Sequence, residues 1–150
     1  MPESEEERLD RELIELLNEI RVALAGAQVL FAFLLLLPFQ PTFREGSDLE
    51  HALYFAAFLA SLTASVLLIG PSTFHRIRFR QRDKLALVRW SNGLLLVATA
   101  AIGVALTAVA YLVTEVLFGG ELGFVAALVT AVVTAAVWFA VPLARRISDD

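Results

Sequence analysis

The chain has 150 residues, of which 58% are hydrophobic and 19% charged, with 12 Lys and Arg against 16 Asp and Glu. Soluble domains are usually about 45–50% apolar and about 25% charged, so this composition excludes a disordered chain and argues against a water-soluble one. The absence of cysteine excludes a disulfide framework, a thiolate metal site and a cysteine nucleophile. The composition therefore predicts a protein of the lipid bilayer.

The first 21 residues predict an amphipathic helix on the cytoplasmic side of the membrane. Apolar residues, among them Leu13, Leu16 and Ile20, recur at helical spacing, while acidic and basic residues stand four positions apart. This acidic beginning is unlike the basic start of a signal peptide, so we expect no cleavage. The helix is expected to continue without a break into the first membrane span.

Four apolar stretches are long enough, at about 1.5 Å per residue, to cross a hydrocarbon core of about 30 Å. They lack the alternating pattern of a membrane barrel and are therefore expected to be helices. Their approximate bounds are residues 22–39, 52–70, 94–118 and 122–144. The Gly and Pro residues expected to mark their ends are Pro38, Pro41, Gly70-Pro71, Gly119-Gly120 and Pro142.

Together these segments predict an all-α fold, an integral membrane four-helix bundle that forms a single membrane domain over residues 1–150. The amphipathic N-terminal helix is continuous with span one. Eleven of the 12 basic residues fall on one side of the predicted membrane, and only Arg44 falls on the other. Because loops rich in Lys and Arg stay in the cytoplasm, both termini are expected to be cytoplasmic in a multi-pass protein.

Polar residues inside the spans are the first candidates for function, because ionisable groups are costly in lipid. Glu115 lies about one turn inside the end of the third span, and Gln28 lies within the first. Glu115 either reaches the interface or binds a proton or cation, and Gln28 is expected to hydrogen-bond to a neighbouring helix. No catalytic set, metal-ligand cluster or phosphate loop is present, so we expect no enzymatic activity, no cofactor and no metal.

Small residues four positions apart line single faces of spans two to four, as at Thr99, Gly103 and Thr107. Such faces allow helix backbones to approach closely. Helix packing explains them, and the alternative is the lining of a pathway in a homo-oligomer. We expect a homo-oligomer, because four spans alone enclose little room for such a pathway.

The connection between spans two and three, residues 71–89, is strongly basic, with six Lys and Arg and one acidic residue. Basic and aromatic residues mixed beside a membrane are typical of binding to anionic lipid headgroups, here on the cytoplasmic face. The connection either binds these lipids or only determines topology, and it is too short and too close to the bilayer to favour nucleic acid. The binding candidates are His75, Arg76, Arg78, Arg80, Arg82 and Lys84.

Several segments of the chain carry a family resemblance. They are RELIELLNEIRVA at 11–23, QVLFAFLL at 28–35, and Gly70-Pro71 followed by His75-Arg76, Phe79-Arg80 and Asp83-Lys84. In these segments the chain resembles a domain-of-unknown-function family of small bacterial four-span membrane proteins. Some members carry an automatic sodium:proton antiporter label. The resemblance implies cation/proton exchange in a bacterial cytoplasmic (inner) membrane and carries over no set of functional residues.

These features of the sequence predict one of two functions. The first is ion transport or permeation by an oligomer, with Glu115, Gln28, Thr99, Gly103 and Thr107 as candidate lining residues. The alternative is a module that transports nothing and binds anionic lipid or a partner protein. In that case the basic connection and the acidic N-terminal helix, whose net charges are +5 and −5, carry the binding.

Overall fold

The computed structural model describes residues 5–77 and 84–148. The elements are α1 (Glu5–Leu36), a 3₁₀ turn (Leu37–Phe39), α2 (Pro41–Arg44), α3 (Asp48–Ile77), α4 (Lys84–Phe118), α5 (Gly120–Ala135), a π-helical turn (Ala136–Ala140) and α6 (Val141–Ser148). Four helical stretches are long and apolar enough to cross a membrane: Glu7–Phe39, Asp48–Phe74, Leu85–Phe118 and Gly120–Arg145. The predicted all-α fold with four membrane helices is confirmed, as is the continuity of the N-terminal helix with the first of them. The chain is that of a multi-pass membrane protein.

The second membrane helix does not end at Gly70-Pro71, where the sequence predicted a stop. Instead α3 continues to Ile77, and Pro71 is fully buried inside it. A Cβ atom at Gly70 would lie 3.1 Å from Leu94 Cδ1 and 3.5 Å from Trp90 Cη2, so this turn of α3 packs tightly on α4. Membrane helices tolerate proline where neighbouring helices support the interrupted turn, and the prediction neglected that support.

The fourth membrane helix likewise passes Pro142 and continues as α6 to Ser148. A π-helical turn over Ala136–Ala140 comes directly before this proline. Proline has no N–H to donate, and its ring clashes with the carbonyl four residues earlier. The wider π turn changes the hydrogen-bond register at this point, as is common where a helix is disturbed.

The turn between α4 and α5 depends on glycine. Gly119 has φ 97° and ψ 165°, a backbone conformation open essentially to glycine alone. Its N–H donates to the carbonyl of Glu115 at 2.9 Å, and its own carbonyl accepts from the N–H of Gly123 at 3.1 Å. These two hydrogen bonds end α4 and begin α5, so that Gly119 is the single residue between the two helices.

The chain divides into two compact units, and the first comprises Met1–Phe33 and Ser61–Ala101. Its described buried residues come from α1, α3 and α4 at spacings of three, four or seven positions. This spacing is typical of coiled-coil packing. The residues are Leu13, Leu16, Ile20 and Ala27 in α1, Ser61, Ala64, Leu68 and Pro71 in α3, and Leu87, Ser91 and Ala98 in α4.

The second unit comprises Leu34–Ala60 and Ile102–Asp150. The residues buried in it are mostly small: Leu34, Ala57, Ala105, Ala108, Leu112 and Gly123. In α5 only Gly123 is buried, and none of the 18 residues in the most apolar window of this membrane helix is buried. The large apolar side chains of α5 are instead exposed, as in Phe124, Leu128 and Val132. They present a surface suited to lipid or to another helix.

Replacing Ser91 by alanine is expected to raise stability. The Ser91 hydroxyl oxygen is buried with no hydrogen-bond partner, and such a group costs about 1–3 kcal/mol. We expect Ser91→Ala to raise the thermal midpoint of the detergent-purified protein, followed by circular dichroism. Ser65→Ala is the control, because the Ser65 hydroxyl donates to the Ser61 carbonyl at 2.9 Å, and it should leave the midpoint unchanged or lower it. A lower midpoint in Ser91→Ala would contradict this account.

Candidate functional site

Glu115 is the predicted site residue with the most distinctive surroundings. It lies on the last turn of α4, and its side chain is half-buried in the second unit. The hydroxyl of Tyr111, one turn earlier on the same helix, and Glu115 Oε1 both lie against the first turn of α5. The second carboxylate oxygen, Oε2, is buried and has no hydrogen-bond partner. This oxygen is therefore available to bind a proton or a cation.

Two glycines of α5 make room for this carboxyl group. A Cβ atom at Gly120 would lie 3.5 Å from Glu115 Oε1 and 3.7 Å from the Tyr111 hydroxyl. A Cβ atom at Gly123 would lie 3.2 Å from the Tyr111 carbonyl oxygen and 3.3 Å from Glu115 Cβ. The first turn of α5 therefore lies directly against Tyr111 and Glu115, with its backbone as the contact surface.

A second carboxylate acts on the same hydroxyl. The Glu50 carboxylate, near the start of α3, interacts electrostatically with the Tyr111 hydroxyl. Glu50 is half-buried and belongs to the same unit as Tyr111 and Glu115.

The sequence analysis did not single out Glu50, although the sequence carries its signal. Ser47 and Glu50 form a capping box at the N-terminus of α3. The Ser47 N–H and hydroxyl donate to Glu50 Oε2 at 2.6 Å and 3.0 Å, and the Glu50 N–H donates to the Ser47 hydroxyl oxygen at 3.3 Å. The Ser-x-x-Glu spacing before an apolar run indicates this cap, but not its position near Tyr111.

Thr99, Gly103 and Thr107, the transport candidates on α4, form hydrogen bonds within the helix and packing contacts with a neighbouring helix. The Thr99 hydroxyl donates to the Leu95 carbonyl and the Thr107 hydroxyl to the Gly103 carbonyl, both at 2.8 Å. A Cβ atom at Gly103 would lie 3.7 Å from a ring carbon of Trp138, so this position of α4 packs against the fourth membrane helix. These contacts are those of helix packing.

Gln28 is exposed on α1 and belongs to the first unit, whereas Glu115 belongs to the second.

The basic connection is described only at its ends. Arg76 is exposed on the last turns of α3, where His75 also lies, and Lys84 begins α4. Arg78, Arg80 and Arg82 lie outside the described residues. The predicted lipid site therefore stays a prediction. In residues 5–77 and 84–148, no group of three or more His, Cys, Asp or Glu side chains is arranged to hold a metal ion.

Comparison with known families identifies one family whose model matches most of the chain. Residues 2–142 match the model of DUF6328, a family of unknown function. The chain belongs to the DUF6328 family. The match includes the first three membrane helices, residues 120–142 of the fourth, and both Glu115 and Glu50, so the site lies inside the region shared with DUF6328. No curated protein and no solved structure matches the chain.

The tight contact at Gly123 predicts a clear cost for any side chain there. In Gly123→Ala the new Cβ would press on the Tyr111 and Glu115 backbone, and overpacking of this kind costs about 1–3 kcal/mol. We expect a lower thermal midpoint in detergent. Gly93→Ala is the matched control, since a Cβ there meets nothing within 4 Å and should leave stability unchanged or higher. Equal behaviour of the two variants would show that α5 does not approach α4 this closely.

Proposed function

We propose that this protein is a proton-coupled ion transporter of the cation/proton exchange type, without enzymatic activity, in which Glu115 binds and releases the proton. The observation that carries the proposal is the Glu115 carboxyl group itself, with one oxygen near the Tyr111 hydroxyl and the other buried without a hydrogen-bond partner. A buried oxygen of this kind costs free energy unless it binds a proton or a cation. An ionisable group in such a position in a membrane helix is typical of proton relays and ion pathways.

The position of Glu115 suits a proton site that exchanges with one side of the membrane. It lies three residues before the end of α4, beside the turn at Gly119. Its neighbour Tyr111 supplies a hydroxyl through which a proton moves toward the aqueous phase. In the orientation proposed from the charge distribution, with both termini in the cytoplasm, this side is the extracytoplasmic one.

We further propose that the transporting form is a homo-oligomer in a bacterial cytoplasmic membrane. The fourth membrane helix supports this, because most of its large apolar side chains are exposed and Gly123 is the only residue of α5 that is buried. An exposed apolar helix suits contact with a second copy as well as with lipid. The family resemblance in the first membrane helix and the 70–84 segment is consistent with cation/proton exchange.

The alternative function, binding of anionic lipid or a partner protein, depends on the basic connection and the acidic N-terminal helix. Neutralising Arg76, Arg78, Arg80 and Arg82 tests it separately. Binding to vesicles of anionic lipid should then fall while ion flux is retained, provided that the protein still inserts with the same orientation.

The direct test uses purified protein in liposomes, with dyes sensitive to pH and voltage to follow H⁺, Na⁺ and K⁺ flux. We expect Glu115→Gln to lose proton-coupled flux to the level of empty liposomes, because glutamine keeps the size of the side chain but cannot exchange a proton. Glu121→Gln is the matched control. Glu121 is an exposed acid on the first turn of α5, six positions away, and its variant should transport as the native protein does.

Two results would contradict the proposal. One is flux that persists unchanged in Glu115→Gln. The other is the absence of flux from the folded native protein under gradients of all three ions.

A further inference from the structure

A cavity of about 340 Å³ lies in the second unit, separate from the Glu115 carboxyl group. This volume is at the lower end of the range for small-molecule sites. Most of its wall is apolar and comes from one face of α4. The lining residues are Leu37, Gln40, Phe43, Glu50, Val109, Leu112, Val113, Val116 and Leu117. Such a surface favours a hydrocarbon chain.

The charged group in the described lining of the cavity is Glu50, and it favours a cation. Glu50 supplies a carboxylate whose Oε2 is held by the Ser47 N–H and hydroxyl. No described residue forms an ion pair with it. Gln40 adds a neutral amide group to the wall, and Phe43 adds an aromatic ring.

The wall around Phe43 is firmly positioned. Its ring makes edge contacts with the rings of His51 and Tyr54, at centroid distances of 5.0 Å and 4.8 Å. The His51 Nε2 atom lies 3.0 Å from the Phe43 carbonyl oxygen, at hydrogen-bond distance. The cavity is therefore preformed in the absence of a ligand, which reduces the entropy cost of binding.

The charge around the cavity disfavours an anionic lipid as the occupant. Residues 37–54 and 111–122, which supply most of the wall, carry five acidic residues and one basic residue, Arg44. No Lys or Arg is among the residues described in the lining. An anionic phospholipid would bring its phosphate close to the Glu50 carboxylate without a positive charge in the described lining to compensate it. A ligand with a positive head and no phosphate meets no such repulsion.

We propose that this cavity binds a single-chain cationic amphiphile, an alkylammonium ion whose hydrocarbon chain lies against α4 and whose ammonium group pairs with Glu50. The binding site is independent of the proposed proton site, because Glu115 is not part of its lining. The acidic surroundings raise the local concentration of such cations at the cavity.

The test measures binding of two probes with the same chain, dodecyltrimethylammonium and the neutral dodecyl maltoside, to native protein in nanodiscs of phosphatidylglycerol. We expect the cation to bind about tenfold more tightly, equivalent to about 1.4 kcal/mol. Glu50→Gln should remove this preference and leave the neutral probe unaffected. Glutamine preserves the capping box with Ser47, so the variant should keep the native thermal midpoint.

Further variants separate this inference from its alternatives. Val113→Phe narrows the cavity and should weaken binding of both probes. Glu121 and Glu115 lie outside the described lining, so Glu121→Gln and Glu115→Gln should keep the cation preference, with at most a small loss of cation affinity from the reduced acidic charge. Equal affinity for the two probes, or a cation preference that survives Glu50→Gln, would overturn the proposal. Strong competition by nanodiscs of phosphatidylethanolamine would also overturn it, because a two-chain lipid would then be the occupant.

Discussion

Close approach of helix backbones is the constraint on which the rest of this structure depends. In lipid, apolar side chains gain little by moving from lipid to protein, so helices associate through tight packing and interhelical hydrogen bonds. The buried positions of α3 show how this is achieved, since Ala57, Ser61 and Ala64 recur at four- and three-residue spacing. At Gly123 the same principle brings α5 against α4 and fixes the surroundings of Glu115. The chemistry of the site is therefore a consequence of a packing contact.

The sequence was sufficient to predict the fold class because lipid leaves few choices. A long apolar segment must satisfy its own backbone hydrogen bonds, so four such segments predict four helices. The ends of the helices were harder to predict, because Gly70-Pro71 signals a stop in isolation but is supported by Trp90 and Leu94 on α4. Local rules of this kind fail where tertiary packing compensates for the lost hydrogen bond.

The candidate site could be predicted only in part, for a similar reason. Glu115 is visible in the sequence as an acid inside an apolar helix, and Tyr111 stands at the spacing that brings side chains together on one face. Glu50 lies 65 positions away from Glu115 along the chain, and its influence on Tyr111 depends on how α3 packs in the second unit. The cavity beside Glu50 depends on the same folding of the 37–47 connection. Neither has a signature in a single sequence.

The central claim is that Glu115 takes up and releases a proton within its packed surroundings, and infrared difference spectroscopy of the protein in lipid tests this most directly. Spectra recorded across a pH titration should contain the carbonyl stretch of a protonated carboxyl group in a nonpolar setting. The account predicts that this band appears as the pH is lowered, is absent from Glu115→Gln and persists in Glu121→Gln. The same band in Glu115→Gln, or no pH-dependent carboxyl band in the native protein, would contradict it.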